Sequence, residues 1–317
     1  MSTRTSGTSQ PAAPHALRCE YARDPVGVDV AVPRFSWELD WPQRGQRQTR
    51  YQVQVATSLE KLAGGSPDCW DSGMVEASQS AHIEYEGQAL KSAERYVWRC
   101  RAADASGRES AWSSPATFFT GMLAPSQWQA KWIQGGSLAR KEFQVTAEVE
   151  FAVVSVTGVG YYELRLNGEK VGDHVLDPGW TDYDKRVLYA SYDVTDSLTH
   201  GPNALGLMLG NGRYNPPQEM VDRSPIPLRK FATAPAGIVQ LTVRYTDGSE
   251  TTIVTDGSWR VAEGPIVAND IWDGETYDAT RELPGWDCPG YDEAEWSAAD
   301  VTEGPAGRLV SQAAYPP

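Results

Sequence analysis

The stretch GYYELRLNGEKVGDHVLDPGWTDYDKRVLYASYDVTDSLTHGPNALGLMLGNGRYN, residues 160–215, decides the fold. Tyr162, Leu164 and Leu166 alternate onto one face and run into Asn167-Gly168. Alternation around an Asn-Gly pair is the strongest short-range hairpin signal, because both turn positions need positive φ. Residues 187–194 alternate as well, placing Leu188, Ala190, Tyr192 and Val194 on one side. The connections between these strands are crowded with Trp, Tyr, Asp and Asn. Amides and carboxylates bond hydroxyls, and flat rings pack on C–H faces, so such loops suit a sugar-recognising surface.

Outward from that block the pattern stays extended. PRFSWELD (33–40) points Phe35, Trp37 and Leu39 inward; YQVQVATS (51–58) does the same with Tyr51, Val53 and Val55. YVWRCRAAD (96–104) adds Tyr96, Trp98, Cys100 and Ala102. About seven short strands separated by turn-rich pieces read as a β-sandwich over 17–122. Residues 123–134, with Pro125, form the boundary, and Trp128 and Trp132 are expected to dock it against the second domain. A second set of strands opens at 140–151, and residues 215–235, with five prolines, form a long loop. AGIVQLTVRY (236–245), the Asp247-Gly248 turn and the return at 251–255 make another hairpin, and a further strand starts at 258–261. Residues 291–301 read as a helical turn or an edge, and 309–317 as a strand cut off in mid-course. No segment keeps a 3.6-residue apolar period over twelve residues, so the chain is read as all-β, with nine or ten strands in a jelly-roll-like second sandwich over 123–317.

Composition bounds the function. The 317 residues are 40% hydrophobic and 10% aromatic, enough for two packed cores. Twelve Trp and fourteen Tyr against six Phe favour aromatics with a polar handle, most of them core. Net charge is −14 and no Lys/Arg run occurs, which argues against nucleic acid or an anionic membrane as partner. The polar start MSTRTSGTSQPAAPHAL has no apolar core of a signal peptide, and residues 1–16 are expected to be a disordered lead. The four cysteines lack metal spacing and are expected to be reduced, in a cytoplasmic protein. His82, His174 and His200 are scattered and read as surface residues.

Residues in the first third, Trp37 and YVWRCRAADASGRESAWSSPATFFTG, resemble fibronectin type III and related immunoglobulin-like modules. Four ordered motifs across 127–300 resemble the N-terminal region of bacterial α-L-rhamnosidases: the block at 160–195, NALGLMLGNGRYN, DGSWR and IWDGETYDATRELPGWD. The resemblance implies a fibronectin III-like sandwich followed by a jelly-roll-like sandwich, both non-catalytic. The general acid and base of that family are carboxylates in an (α/α)6-barrel, which an inverting mechanism holds about 6.5–9.5 Å apart. That barrel would be the partner of this chain, and a rhamnose-containing glycoside its ligand. No catalytic residue is assigned here. Asp273, Glu275 and Asp278 are expected to be structural, Asp273-Gly274 making a turn and Glu275 bonding backbone amides.

The candidate carbohydrate-binding residues are Asp177, Trp180, Asp182 and Tyr183 in DPGWTDY, with Asn211, Arg213 and Tyr214 in GNGRYN. Trp180 and Tyr183 read equally well as a packing corner. Some relatives of this domain are rhamnose-binding modules that use calcium. The resemblance therefore admits calcium on Asp177 and Asp182 while requiring no cofactor. Rival readings are a free-standing lectin, a scaffold without ligand, and a complete enzyme.

Overall fold

A computed structural model describes residues 10–42, 44–225 and 229–312. The chain divides into two compact units, Met1–Leu123 and Ala124–Pro317. The start of the lead and the last five residues fall outside the described residues. Residues 10–16 differ from the disordered lead expected there. Ala12 accepts a hydrogen bond from the Trp41 indole at 3.0 Å, and the first strand, His15–Cys19, pairs with Arg34–Glu38.

The first unit has nine strands among the described residues, against about seven expected. One sheet orders His15–Cys19, Arg34–Glu38 and Ile83–Glu84; the other runs Val26–Val28, Ala116–Thr120, Arg95–Asp104, Gln48–Ala56 and Trp70–Asp71. The inward residues read from alternation form its core. Phe35, Val53, Val55, Trp98, Cys100 and Phe118 are fully buried, with the Phe35 and Trp98 rings 4.5 Å apart. Trp37 can lie among them because its indole donates to Gln48 at 3.0 Å, so its own N–H is not left without an acceptor.

The second unit packs a seven-stranded sheet on a six-stranded one. The first follows the order Asp300–Thr302, Trp132–Gln134, Ala236–Tyr245, Val149–Val159, Arg186–Asp193 and Arg308–Ser311, with Glu250–Val254 also paired to Ala236–Tyr245. The second follows Glu169–Lys170, Tyr161–Leu166, Gly201–Gly210, Leu138–Val145, Arg260–Ala262 and Ser297–Ala298. A separate hairpin joins Ile266–Asp270 to Gly274–Tyr277. The architecture is all-β, with fifteen strands here rather than nine or ten. Residues 297–302 resolve into two short edge strands, and the long loop contains the short helix Gln218–Arg223.

Val154, Val156, Leu164, Leu205, Leu207, Leu241 and Trp259 fill the space between the sheets. The seven-stranded sheet is covered on its other face too, by Trp132, Tyr183, Tyr214 and the partly buried Trp128 and Phe231. This explains a difference from the simple alternation read at 187–194. Ala190 is buried as expected, but Val187 and Tyr189 on the opposite side are completely buried as well. A strand covered on both faces reads as near-continuous apolar sequence. The boundary segment belongs to this covering layer: Trp128 meets Tyr189 edge-on at 5.3 Å, and the amides of Gln129 and Ala130 donate to Gln240.

Candidate functional site

Two backbone features bring the loops of the opening stretch together. At Asn167-Gly168 both residues have positive φ, 53° and 89°, and Leu166 pairs with Glu169 across the turn. This is the geometry the dipeptide favours. At Gly160 and Gly212 two chain segments touch backbone to backbone. A Cβ on Gly160 would lie 2.1 Å from the Asn211 carbonyl oxygen, and one on Gly212 would lie 2.8 Å from Gly160 Cα. No side chain fits there. The loop 211–215 is thereby pressed onto the start of the strand Tyr161–Leu166.

Asn211 then ties that loop to the separate hairpin. Its amide donates to Asn269 Oδ1 at 2.7 Å, and its Nδ2 donates to the Asn269 carbonyl at 3.1 Å. Between the hairpin and the sheet end lies a cleft of about 440 Å³. It is lined by Tyr161, Tyr162, Glu163, Met208 and Leu209 from the sheet strands, by Leu176, and by Ile266, Asn269, Asp270, Ile271 and Glu275 from the hairpin. Pockets of roughly 300–1,000 Å³ lined by apolar groups and a few polar ones are the usual size for small-molecule ligands.

The candidate residues separate into buried supports and open groups. Asp177 is buried, and its carboxylate accepts from His174 at 2.7 Å, from Gln312 at 3.0 Å and from the Tyr162 and Tyr192 hydroxyls at 3.3 Å each. It is a clasp for the loop 172–180, not a free sugar acceptor. His174, read as a surface residue, is half-exposed but belongs to this clasp. Burial, followed by the neighbouring Tyr192 and the Asp177 carboxylate, pushes the Tyr162 phenol well above its ordinary value. Tyr183 and Tyr214 are core residues: Tyr183 meets Tyr214 and Phe231 edge-on at 5.2 Å, and Tyr214 stacks on Phe231 at 5.7 Å. Burial raises the Tyr183 phenol to about 12. Asp182 is exposed and paired with Lys185 at 2.9 Å.

Calcium does not fit the two carboxylates named for it. The Asp177 oxygens already accept from four donors, and Asp182 is engaged by Lys185 and by the Asp184 amide. Among the described residues no three His, Cys, Asp or Glu side chains converge as a metal site.

Trp180 and Arg213 are the open members. The Arg213 guanidinium lies 4.4 Å from the Trp180 ring and 4.5 Å from that of Trp272, within cation–π distance of both indoles. Both rings are exposed, Trp180 by 64% and Trp272 by 51%. Trp272 and Glu275 were not among the binding candidates. The only hint in sequence was the mixture of aromatics and acids around Asp273-Gly274, because what joins them to Arg213 is a contact across sixty residues of chain.

The three acids of this hairpin take different positions. Asp278 caps a short 3-10 turn through Thr280, and that bond lowers its carboxyl below the usual range, the wrong direction for a general acid. Asp273 lies in the turn and faces Arg223 at 3.6 Å. Glu275 was expected to bond backbone amides; among the described residues it accepts no hydrogen bond and instead borders the cleft.

Beside this geometry stand the likenesses to known proteins. The family described as "Alpha-L-rhamnosidase N-terminal domain" matches residues 147–317. The chain belongs to that family. Residues 14–124 match a second family, "Rha78A-like, N-terminal immunoglobulin domain". An alpha-L-rhamnosidase of Formosa agariphila is 39% identical over 311 residues, which span 88% of this chain and 32% of that protein. The solved alpha-L-rhamnosidase from Dictyoglumus thermophilum is 38% identical with a TM-score of 0.86, covering 96% of this chain and 35% of that one. That from Streptomyces avermitilis, complexed with L-rhamnose, is 25% identical with a TM-score of 0.85, covering 95% of this chain and 46% of that one. This member of the rhamnosidase N-terminal domain family thus spans less than half the length of each of these relatives.

Proposed function

We propose that the chain is the non-catalytic recognition region of an α-L-rhamnosidase, which hydrolyses terminal α-L-rhamnose from glycosides. In this reading the cleft beneath the hairpin receives the rhamnosyl end of the glycoside. The observation that carries it is the character of the cleft. Apolar walls from Leu176, Ile266 and Ile271 stand beside Asn269 and a Glu275 carboxylate with no partner among the described residues. A 6-deoxy sugar offers the matching pair, a methyl-bearing apolar side and vicinal hydroxyls that donate to a carboxylate. The reading requires no cofactor. Cys19, Cys69, Cys100 and Cys288 are all free thiols, which supports a reducing, cytoplasmic setting. No helix among the described residues is long and apolar enough to cross a membrane.

Calorimetry of the chain with methyl α-L-rhamnopyranoside tests this. Saturable heat at millimolar sugar or below is expected, equal in calcium and in EDTA and weakened in Glu275→Ala. Absence of heat at millimolar sugar contradicts it. Release of p-nitrophenol from p-nitrophenyl α-L-rhamnoside by the chain alone contradicts the non-catalytic assignment.

One observation favours a second reading, a scaffold for the (α/α)6-barrel. Val175 and Leu176 are 77% and 67% exposed on the loop beside the cleft, more apolar surface than a loop tip needs. Tight association with a separately expressed barrel, lost in a Val175→Asp, Leu176→Asp double variant, is the result expected of a scaffold.

A further inference from the structure

Arginines in this part of the second unit are normally matched to carboxylates. Arg223 faces Asp273, Arg229 pairs with Asp184, Arg165 with Glu163 and Asp287, and Arg140 with Glu293. In a chain with 42 acidic and 28 basic residues, a carboxylate partner is easy to supply. Arg213 is the exception: among the described residues it makes no hydrogen bond and no ion pair. Its contacts are the two indole faces, 4.4 and 4.5 Å away. It follows directly on Gly212, which borders the cleft, and its charge is felt by Tyr161, which lines the cleft.

Two indole rings satisfy the cation through their π faces but accept no conventional hydrogen bond, so the N–H fork of the guanidinium has no oxygen acceptor among the described residues. Such a fork matches a planar or tetrahedral oxyanion bidentately. The two indoles also hold the side chain in one orientation, so little rotamer freedom is lost when an anion binds. Of the carboxylates near the cleft, Glu163 faces Arg165 and Lys170, and Asp270 accepts from the Trp272 and Asp273 amides at 2.7 Å, which leaves Glu275 as the cleft carboxylate without a partner among the described residues.

We infer that Trp180, Arg213 and Trp272 form an oxyanion clamp at the edge of the cleft, which binds the carboxylate or sulfate group of an acidic saccharide. The clamp extends the proposed function, in that the sugar unit adjoining the one in the cleft would carry the negative group. It rests on that reading only for its role, and the test separates the two.

The whole chain is titrated at constant ionic strength with D-glucuronate and D-glucose 6-sulfate, each against methyl D-glucoside, and separately with methyl α-L-rhamnopyranoside. Binding is followed by tryptophan fluorescence and calorimetry. The acidic sugars are expected to bind on the order of ten- to a hundredfold more tightly than the neutral one, the gain of one charge-assisted fork. That gain should disappear in Arg213→Gln, fall substantially in Arg213→Lys, which keeps the charge without the fork, and shrink with added salt. Glucuronate and glucose 6-sulfate then tell which oxyanion the clamp prefers. Equal binding of acidic and neutral sugars, or a preference that survives in Arg213→Gln, overturns the clamp. Methyl rhamnoside binding with no acidic preference sinks the clamp and leaves the recognition reading intact; the reverse pattern does the opposite. Thermal melts of the Arg213 variants should fall by several degrees at most, since the residue makes no hydrogen bond among the described residues and Arg213→Gln loses only its two cation–π contacts.

Discussion

Trp180 and Tyr183 are three residues apart in one loop, and the structure assigns them opposite consequences when truncated. The Tyr183 ring is 1% exposed, wedged between Tyr214 and Phe231 over the outer face of the seven-stranded sheet. Deleting it in Tyr183→Ala leaves a large cavity, and comparable aromatic truncations cost about 3–5 kcal/mol. For a unit of this size each kcal/mol moves Tm by about 2–4 °C, so its melting transition should fall on the order of 10 °C. Tyr183→Phe keeps the ring and should melt near the parent chain. Trp180→Ala removes a 64% exposed ring and one cation–π contact, worth about 0.5–1 kcal/mol at such a site, so Tm should move by a few degrees at most. Differential scanning calorimetry of the full chain reads the stability side; titration with an acidic sugar reads the other, where Trp180→Ala should lose affinity. A Trp180→Ala chain as destabilised as Tyr183→Ala, with sugar binding intact, would refute the division into support and open face.

Other perturbations test the same structure elsewhere. Arg140 is 1% exposed and donates to the carbonyls of Trp286 and Cys288 and to Glu293, holding the segment 286–293 on the six-stranded sheet; Arg140→Ala should cost about 3–5 kcal/mol in urea unfolding because it strands those acceptors. Gly160→Ala should abolish soluble expression or lower Tm severely, since its Cβ would sit 2.1 Å from a backbone oxygen, whereas Gly248→Ala, with nothing within 4 Å, should cost only the roughly 1–2 kcal/mol of a positive φ. In the first unit, burial opposes ionisation of Asp68 but is outweighed by the Lys61 ammonium and the Thr57 amide and hydroxyl, which bring its carboxyl down to about 2. A folded value below the unfolded one of about 3.9 means stability that is full above that pH and is lost as pH falls toward 2; acid melts should show this, and Asp68→Asn should flatten that part of the profile.

Much of the fold could be read from sequence because it is written in local periods. The Asn167-Gly168 turn, the alternation at Phe35 and Trp37, and the absence of a sustained helical period required no knowledge of distant contacts. The site was less legible, for a physical reason. Asp177, Tyr183 and Tyr214 have the composition of sugar-binding residues, yet burial, a long-range property, makes them supports. Nothing in the sequence of 187–194 announces that Val187 and Tyr189 will also be covered, since, Tyr183 apart, the covering residues Trp128, Trp132, Tyr214 and Phe231 are distant in sequence. Likewise Arg213 and Trp272 meet only because Asn211 bonds Asn269 across the gap between loop and hairpin.

The most direct measurement is a crystal structure of the chain grown with methyl α-L-rhamnopyranoside. Sugar density is expected between the Tyr161–Glu163 strand end and the 266–277 hairpin, with a hydroxyl on Glu275 and the methyl group toward Leu176 and Ile271. A sugar bound elsewhere, or an empty cleft at saturating sugar, contradicts the assignment of this cleft as the recognition site.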